Sequence, residues 1–138
     1  TLSRSPNRFD AAIAELTADA TCATLPAYYG LPASDPVDPI PGAAIEKVGR
    51  TTELTRGTIK AIDVKVKITF PAGTALFTGQ ILTSKAFGDF GDSGALVVTS
   101  DGEFHPVGIV IGGGANGTAI ASPIGPILER FGAPACGR

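Results

Sequence analysis

The amino-acid sequence predicts an all-β domain of about six short strands that ends in one helix. Its 138 residues are 43% hydrophobic and 17% charged, which is the balance of a globular domain with a real core. The 18 glycines and 11 prolines occur without a low-complexity run, and this density favours many strands joined by tight loops. Between Thr58 and Phe70, apolar and polar residues alternate, which is typical of a strand with one solvated face.

The first 44 residues show little strand pattern. The alanine-rich stretch from Phe9 to Leu16 predicts, taken alone, a weak helix. Residues 21–44 carry repeated prolines and few periodic apolar positions, so we expect an extended connector over the surface.

From Ile45 onward the sequence is one of strands and turns. The alternation between Thr58 and Phe70 changes parity near Asp63, which predicts a bulge or a short turn. Ser100-Asp101-Gly102-Glu103 is a hairpin turn signal, and residues 112–117 form a glycine-rich loop. The predicted strands are 45–48, 58–70, 75–82, 95–99, 104–111 and 118–121.

A terminal helix is predicted after the last strand. Ser122 is expected to cap it, Pro123 to occupy its first position and Gly132 to follow its end. The apolar residues of one helix face are Ile124, Ile127, Leu128 and Phe131.

Charge and hydropathy exclude two classes of partner. The net charge is −2 and lysines and arginines do not cluster, which argues against nucleic acid. No apolar run approaches the roughly 18 residues that span a bilayer. The sequence contains no methionine, so we expect that Thr1 is not the translation start and that an upstream segment was removed.

The two cysteines leave two interpretations open. A disulfide between Cys22 and Cys136 would close most of the chain into one loop, and in the simple entropy model it would stabilise the fold by about 4–5 kcal/mol. Alternatively, both are free thiols, one of them in a frayed tail. Their Ala/Pro/Gly-rich surroundings favour the disulfide, and their spacing shows no metal-site pattern.

The strongest chemical signal is Gly91-Asp92-Ser93-Gly94, which precedes an apolar strand. A serine between glycines suits an acyl-transfer nucleophile, because glycine lets the backbone turn sharply and approach a substrate closely. The amides of Gly91 and Ser93 could then point into one small space and stabilise an oxyanion. The alternative is an ordinary Asp-Ser-Gly turn between strands.

The context of this motif resembles the C-terminal barrel of trypsin-like (chymotrypsin-fold) serine peptidases. After the serine come a hairpin, the strand Pro106 to Val110, the glycine loop, and Thr118 to Ile124 before the helix. Upstream, Lys47 to Thr52 with Gly57-Thr58 resembles the opening strand and turn of that barrel in a bacterial and plant branch of the family, which usually has glycine where this chain has Glu53.

The resemblance implies a domain organisation and a second catalytic residue. Residues 1–20 would be the remnant of the N-terminal barrel, 21–44 the linker between barrels, and 45–138 the six-stranded C-terminal barrel. The segment Asn7 to Ala14 resembles the one around the family's catalytic aspartate, which would be Asp10. Asp10 would hold a histidine in the correct tautomer and stabilise its protonated form. The alternatives are that Asp10 is a surface acid, or that Asp19 takes this place.

Histidine is the residue that does not fit. The family order along the chain is His, Asp, Ser, whereas the one histidine here, His105, follows Ser93. If it lies beside the hairpin turn, it is about 15 Å from Ser93, because each strand residue adds about 3.3 Å. A general base must lie within about 3 Å or one water. We therefore expect the histidine to come from a segment upstream of Thr1, together with most of the N-terminal barrel.

The resemblance also implies a specificity pocket. Phe87 would lie at its base, and Gly113, Gly114 and Thr118 would line its walls; alternatively, Phe87 is a core residue. No acid occupies the base, so a small or apolar substrate side chain is expected rather than arginine or lysine. Animal relatives pair the acid before the serine with a newly freed N-terminus, but Thr1-Leu2 does not match the apolar start that this pairing uses.

Together these features predict a serine endopeptidase fragment that is inactive alone because it lacks the histidine. The alternative is a peptidase-derived binding or structural domain without catalysis. The expected partners are a peptide or protein substrate, and either the N-terminal fragment or another copy of the chain, because an apolar face of residues 1–44 would otherwise stay bare. No metal or organic cofactor is needed.

Overall fold

A computed structural model of the chain describes residues 6–20, 30–114 and 116–137. Six antiparallel strands form a closed barrel in the order β1-β2-β3-β6-β5-β4. The strands are β1 (Ala44–Gly49), β2 (Glu53–Phe70), β3 (Gly73–Thr83), β4 (Leu96–Thr99), β5 (Pro106–Gly113) and β6 (Ala119–Pro123), and the helix α1 is Ile124–Phe131. The predicted all-β barrel with a short C-terminal helix is confirmed.

The barrel closes because β1 pairs on both sides. It is antiparallel to β2 across a tight turn, with Gly49 opposite Glu53, and it is antiparallel to β4, with Ile45 opposite Thr99. The bulge predicted near Asp63 is present: the register between β2 and β3 shifts on both sides of Val64, and Asp63 has a φ of 55°.

The apolar residues that alternate along the strands meet inside the barrel. The main core includes Ile45, Ile59, Ile81, Phe87 and Val97. A second, smaller cluster lies around Ala75, Phe77 and Ile111, with half-buried apolar side chains of the far end of β2 packed against it. The β2–β3 hairpin therefore has an apolar face of its own.

The weak helix predicted for residues 9–16 is wrong, since residues 9–17 have no regular structure. A stretch this short does not pay the cost of helix nucleation by itself. Instead, Asn7 forms a parallel bridge with Phe77 on β3: its amide donates to the Leu76 carbonyl (2.8 Å), and its carbonyl accepts from the Thr78 amide (2.9 Å).

The helix begins one residue later than predicted, and Ser122 does not cap it. Pro123 occupies the N-cap position without a side-chain hydrogen bond, while Ser122 is fully buried in β6 and donates its hydroxyl to Gln80 Oε1 (2.7 Å). The predicted end of the helix is correct: Gly132 follows it in the left-handed conformation, with a φ of 61°.

Residues 30–43 run along the barrel. The Ala33 amide donates to the Phe104 carbonyl (3.2 Å), and the Val37 amide donates to the Pro106 carbonyl (2.9 Å). No helix in the described part of the chain is long and apolar enough to cross a membrane.

Candidate active site

The loop from Asp89 to Gly94 (the Ser93 loop) is a tight turn before β4. Its backbone is closed by hydrogen bonds from the Asp92 amide to the Asp89 carbonyl (3.1 Å) and from the Gly94 amide to the Val110 carbonyl (2.8 Å). Ser93 lies exposed at this turn. Within residues 6–20, 30–114 and 116–137, the amides of Gly91 and Ser93 have no hydrogen-bond partner, so both can donate to an incoming oxyanion.

Asp92 points away from solvent and ties the loop to the β1–β2 turn. Its side chain is fully buried, although the residue beside it is the exposed Ser93. The backbone amides of Thr51 (2.8 Å) and Thr52 (3.1 Å) donate to Oδ1. The Thr52 hydroxyl (2.7 Å) and the Asp89 amide (3.0 Å) donate to Oδ2. These bonds fix the backbone on both sides of Ser93.

Lys47 of β1 supplies the counter-ion. Its Nζ lies 3.5 Å from Asp92 Oδ2, and both side chains are 0% exposed. Nζ also donates to the Thr52 hydroxyl (2.6 Å) and to the Glu53 carbonyl (3.1 Å), and it lies 5.9 Å from the centre of the Phe87 ring. The ammonium group of Lys47 therefore connects Asp92 to the β1–β2 turn.

The pKa values of this pair follow from burial and bonding. Burial alone would raise the pKa of Asp92, but the hydrogen bonds from Thr52, Asp89 and Thr51 outweigh it and hold the pKa far below its ordinary value. Burial lowers the pKa of the Lys47 ammonium, and the Asp92 carboxylate opposes that shift.

Glycine is required where the loop meets the β1–β2 turn. A Cβ on Gly49 would overlap the Asp92 carboxylate, and a Cβ on Gly91 would overlap the Thr51 hydroxyl. Gly91 also has a φ of 95°, which disfavours a residue with a side chain. The close approach of the two turns therefore depends on both glycines.

Asp10 and Ser93 line the same cleft. It has a volume of about 410 Å³ and is bounded by residues 10–12 on one side and by the Ser93 loop and β5 on the other. Asp10 reaches this position because two residues shortly before it are attached to β3: Asn7 by backbone pairing, and Arg8 through its carbonyl, which accepts from Gln80 Nε2 (2.7 Å). Asp19 lies further along, in an exposed turn closed by the bond from the Ala20 amide to the Thr17 carbonyl (2.9 Å).

A second cleft, of about 530 Å³, opens on the other side of Ser93. Gly113, Gly114 and Thr118 are among the residues that line it. Phe87 is not among them and is fully buried in the main core. The remaining wall is largely apolar and comes from β2, the Ser93 loop, β5 and β6: Val66, Ile68, Phe70, Phe90, Ile111 and Ile120.

Two features of the site were not predicted from the sequence. Lys47 shares the strand parity of the core residue Ile45, so a buried lysine could have been suspected, but nothing local identifies Asp92 as its partner. Phe90 is 91% exposed and is one of the residues that line the second cleft.

His105 lies in the turn before β5 and contacts the segment from residue 30 onward. Its Nδ1 is 3.1 Å from the Asp35 carbonyl oxygen and 3.2 Å from Asp35 Oδ1. The hydrogen bond with the Asp35 carbonyl raises the pKa of the imidazole, with a further contribution from the Asp35 charge. These contacts hold the segment that carries Asp35 beside the start of β5.

Cys136 takes part in a disulfide. Cys22, its expected partner, lies outside the described residues, so the pairing stays a prediction.

The fold can be compared with those of known proteins. The structure is similar to Cellulomonas bogoriensis chymotrypsin, with 29% identity and a TM-score of 0.65 over 79% of this chain and 57% of that one. It is also similar to Thermobifida fusca protease A, with 26% identity and a TM-score of 0.64 over 78% of this chain and 56% of that one. The chain thus spans little more than half of these proteases. Among curated protein sequences, none matches it.

The fold is therefore that of the bacterial chymotrypsin-like serine proteases, and the part matched is the C-terminal barrel. A family model described as the Nal1 C-terminal domain matches residues 28–133, which is most of the chain. The chain belongs to the Nal1 C-terminal domain family.

Proposed function

We propose that this chain supplies the nucleophile, the oxyanion donors and the aspartate of a serine endopeptidase, and that the histidine base reaches the site from outside the chain. The observation that carries the proposal is the cleft shared by Asp10 and Ser93. An acid and a serine on opposite walls of one cavity leave the space between them for an imidazole that contacts both.

The chemistry follows from these positions. Ser93 Oγ attacks the carbonyl carbon of the scissile bond and passes its proton to the histidine. The new oxyanion accepts hydrogen bonds from the amides of Gly91 and Ser93, which Asp92 holds in place through the turn. The protonated histidine, stabilised by Asp10, gives its proton to the leaving amine, and water then hydrolyses the acyl-enzyme.

The second cleft supports an apolar substrate side chain. Its wall combines three glycines with the apolar face of the hairpin, and Phe90 extends over its mouth. Lys67 and Asp89 are the charged residues that line it, one of each sign, so the cleft favours neither sign of substrate charge. We expect substrates with a leucine- or phenylalanine-like side chain, and a Phe90→Ala variant that discriminates less against small side chains.

The part of the protein that brings the histidine would also cover residues 6–20. Ile13 and Leu16 are 59% and 75% exposed on this segment, and neither side chain packs on the barrel to any large extent. Alone, the chain is expected to bury these side chains by self-association. A strict monomer in light scattering at high concentration would contradict this.

A fluorophosphonate serine probe tests the proposal directly. The chain alone should label at Ser93 very slowly, because removal of the base leaves only the oxyanion hole and binding. Labelling should increase when millimolar imidazole is added, since the cleft can admit it, and should become fast in the full-length gene product. Ser93→Ala is the control for labelling at other sites, and Asp10→Asn should reduce the imidazole-dependent rate.

The other candidate is a peptidase-derived binding or structural domain. It is favoured by the fact that the single histidine of the sequence is held by Asp35. Absence of labelling in the full-length gene product, in a preparation that is folded, would decide for this second function.

A further inference from the structure

We propose that Gln80 is a positioning residue: it fixes the segment that carries Asp10 against the barrel and so sets the place of Asp10 relative to Ser93. The catalytic part of this inference rests on the proposed function, whereas its structural part does not.

Gln80 connects three separate parts of the molecule. Its Nε2 donates to the Arg8 carbonyl of the N-terminal segment (2.7 Å) and to the Thr78 carbonyl of β3 (2.7 Å). Its Oε1 accepts from the hydroxyl of Ser122 at the end of β6 (2.7 Å). The residue is 0% exposed, as is Ser122. Both amide protons and the amide oxygen therefore have partners in a dry environment.

The side chain at this position must be an amide. Two carbonyl oxygens need a group with two protons to donate, and the Ser122 hydroxyl needs an acceptor on the same group. A glutamate would turn its oxygens toward both carbonyls, and a leucine would leave all three partners unsatisfied. A residue that only filled the core here would be apolar, as Phe77 and Ile81 of the same strand are.

The contact acts at the last anchored point before Asp10. Asn7 pairs with β3, Arg8 is held by Gln80, and beyond Phe9 the chain has no regular structure as far as residue 17. Asp10 lies two residues from the anchored carbonyl, which is at most about 7 Å of extended chain. A shift at Arg8 is therefore passed on to the Asp10 carboxylate.

Hydrogen exchange on the full chain tests the structural part. In Gln80→Leu, the amides of Asn7 and Thr78, which bond across the seam between the segment and β3, should exchange at least tenfold faster, while amides of β4 and β5 keep their protection. The matched control is Glu46→Leu, which removes another buried polar side chain; its partners are Arg56 and Ser100, away from the segment. This control should leave the seam protected.

Three outcomes would overturn the inference: unchanged exchange at Asn7 and Thr78 in folded Gln80→Leu, uniformly faster exchange throughout the barrel, or the same loss at the seam in Glu46→Leu. If Gln80→Leu does not fold, Gln80→Asn takes its place, because the shorter side chain keeps an amide in the core but withdraws it from the Arg8 carbonyl.

The catalytic part is tested by measuring the kinetics of peptide hydrolysis at Ser93 in the full-length gene product. Displacement of Asp10 should lower kcat about 10- to 100-fold and leave KM within twofold, because residues 10–12 do not line the second cleft, which would hold the substrate side chain. Equal losses in kcat and substrate affinity would indicate general disruption and overturn it. If the wild type shows no turnover, the proposed function fails, and the exchange result still decides the role of Gln80 in the fold.

Discussion

Replacing Asp92 with asparagine removes the negative charge that faces the buried Lys47 ammonium. The remaining carbonyl oxygen can still accept from the amides of Thr51 and Thr52. The new NH₂ group, however, stands where Oδ2 accepted from the Asp89 amide and lay 3.5 Å from Lys47 Nζ. The NH₂ group is a hydrogen-bond donor, and it would face two other donors, the Asp89 amide and the Lys47 ammonium. The ammonium would also have lost its counter-ion.

The structure sets the size of the effect. Both side chains of the pair are 0% exposed, so solvent cannot compensate the charge that remains. Breaking such a pair by removing one partner typically costs about 3–5 kcal/mol. Because a domain of this size is stable by only about 5–15 kcal/mol, this loss removes at least about a fifth of the free energy of unfolding and, at the low end of that range, most of it.

Urea unfolding followed by far-ultraviolet circular dichroism measures this loss, since the sequence has no tryptophan to report it by fluorescence. Asp10→Asn is the matched control: it is the same change at an exposed carboxylate, and it should alter stability by less than about 0.5 kcal/mol. The variant Lys47→Met with Asp92→Asn should recover part of the loss, because the uncompensated charge is gone.

The pH dependence follows from the lowered pKa of Asp92. A group whose pKa is lower in the folded state stabilises the fold above its unfolded pKa, about 3.9, and this contribution is lost as pH falls through the folded value. The difference between wild type and Asp92→Asn should therefore be constant from neutral pH to about pH 5 and shrink below pH 4. A loss under about 1 kcal/mol, or strictly additive effects of the two substitutions, would refute the reasoning.

Three further predictions concern single positions. Glu53→Gly should raise the free energy of unfolding by about 0.5–1 kcal/mol in the same assay, because Glu53 has a φ of 52°; Glu53→Ala, with the same backbone cost, should give no gain. Gly91→Ala should cost about 1–3 kcal/mol and slow serine-probe labelling at least tenfold, since its Cβ would overlap the Thr51 hydroxyl at a φ of 95°. Because the pKa of His105 is raised in the folded state, its bond to Asp35 stabilises the fold fully below about pH 6.5, and this contribution is lost as pH rises through the folded-state pKa. Protease nicking of residues 30–44 should therefore increase with pH in the wild type but not in His105→Gln.

The strands were predictable because their signal is local. Each face of a strand repeats every second residue, so β2 and its bulge at Asp63 can be recognised from alternation and its change of parity. The Gly91-Asp92-Ser93-Gly94 motif was equally local, as was the end of α1 at Gly132.

The rest depended on contacts between residues far apart in sequence. The stretch after Phe9 has helical composition, but Asn7 pairs with β3, a partner that no local pattern reveals. Serine is a typical N-cap residue, yet Ser122 lies in the core, where its hydroxyl donates to Gln80. Similarly, Lys47 is buried because Asp92 is there to compensate it, and the two residues meet only once the barrel has closed.

The counter-ion of Asp92 has a consequence for the timing of activation. Because the positive charge comes from β1, inside the barrel, the loop that carries Ser93 takes its shape when the barrel folds. Under the proposed function, the oxyanion donors would then be aligned without the insertion of a freshly cut chain end beside Asp92. Under the proposed function, the nucleophile half is thus ready as soon as it has folded, and the step left for control is the arrival of the base.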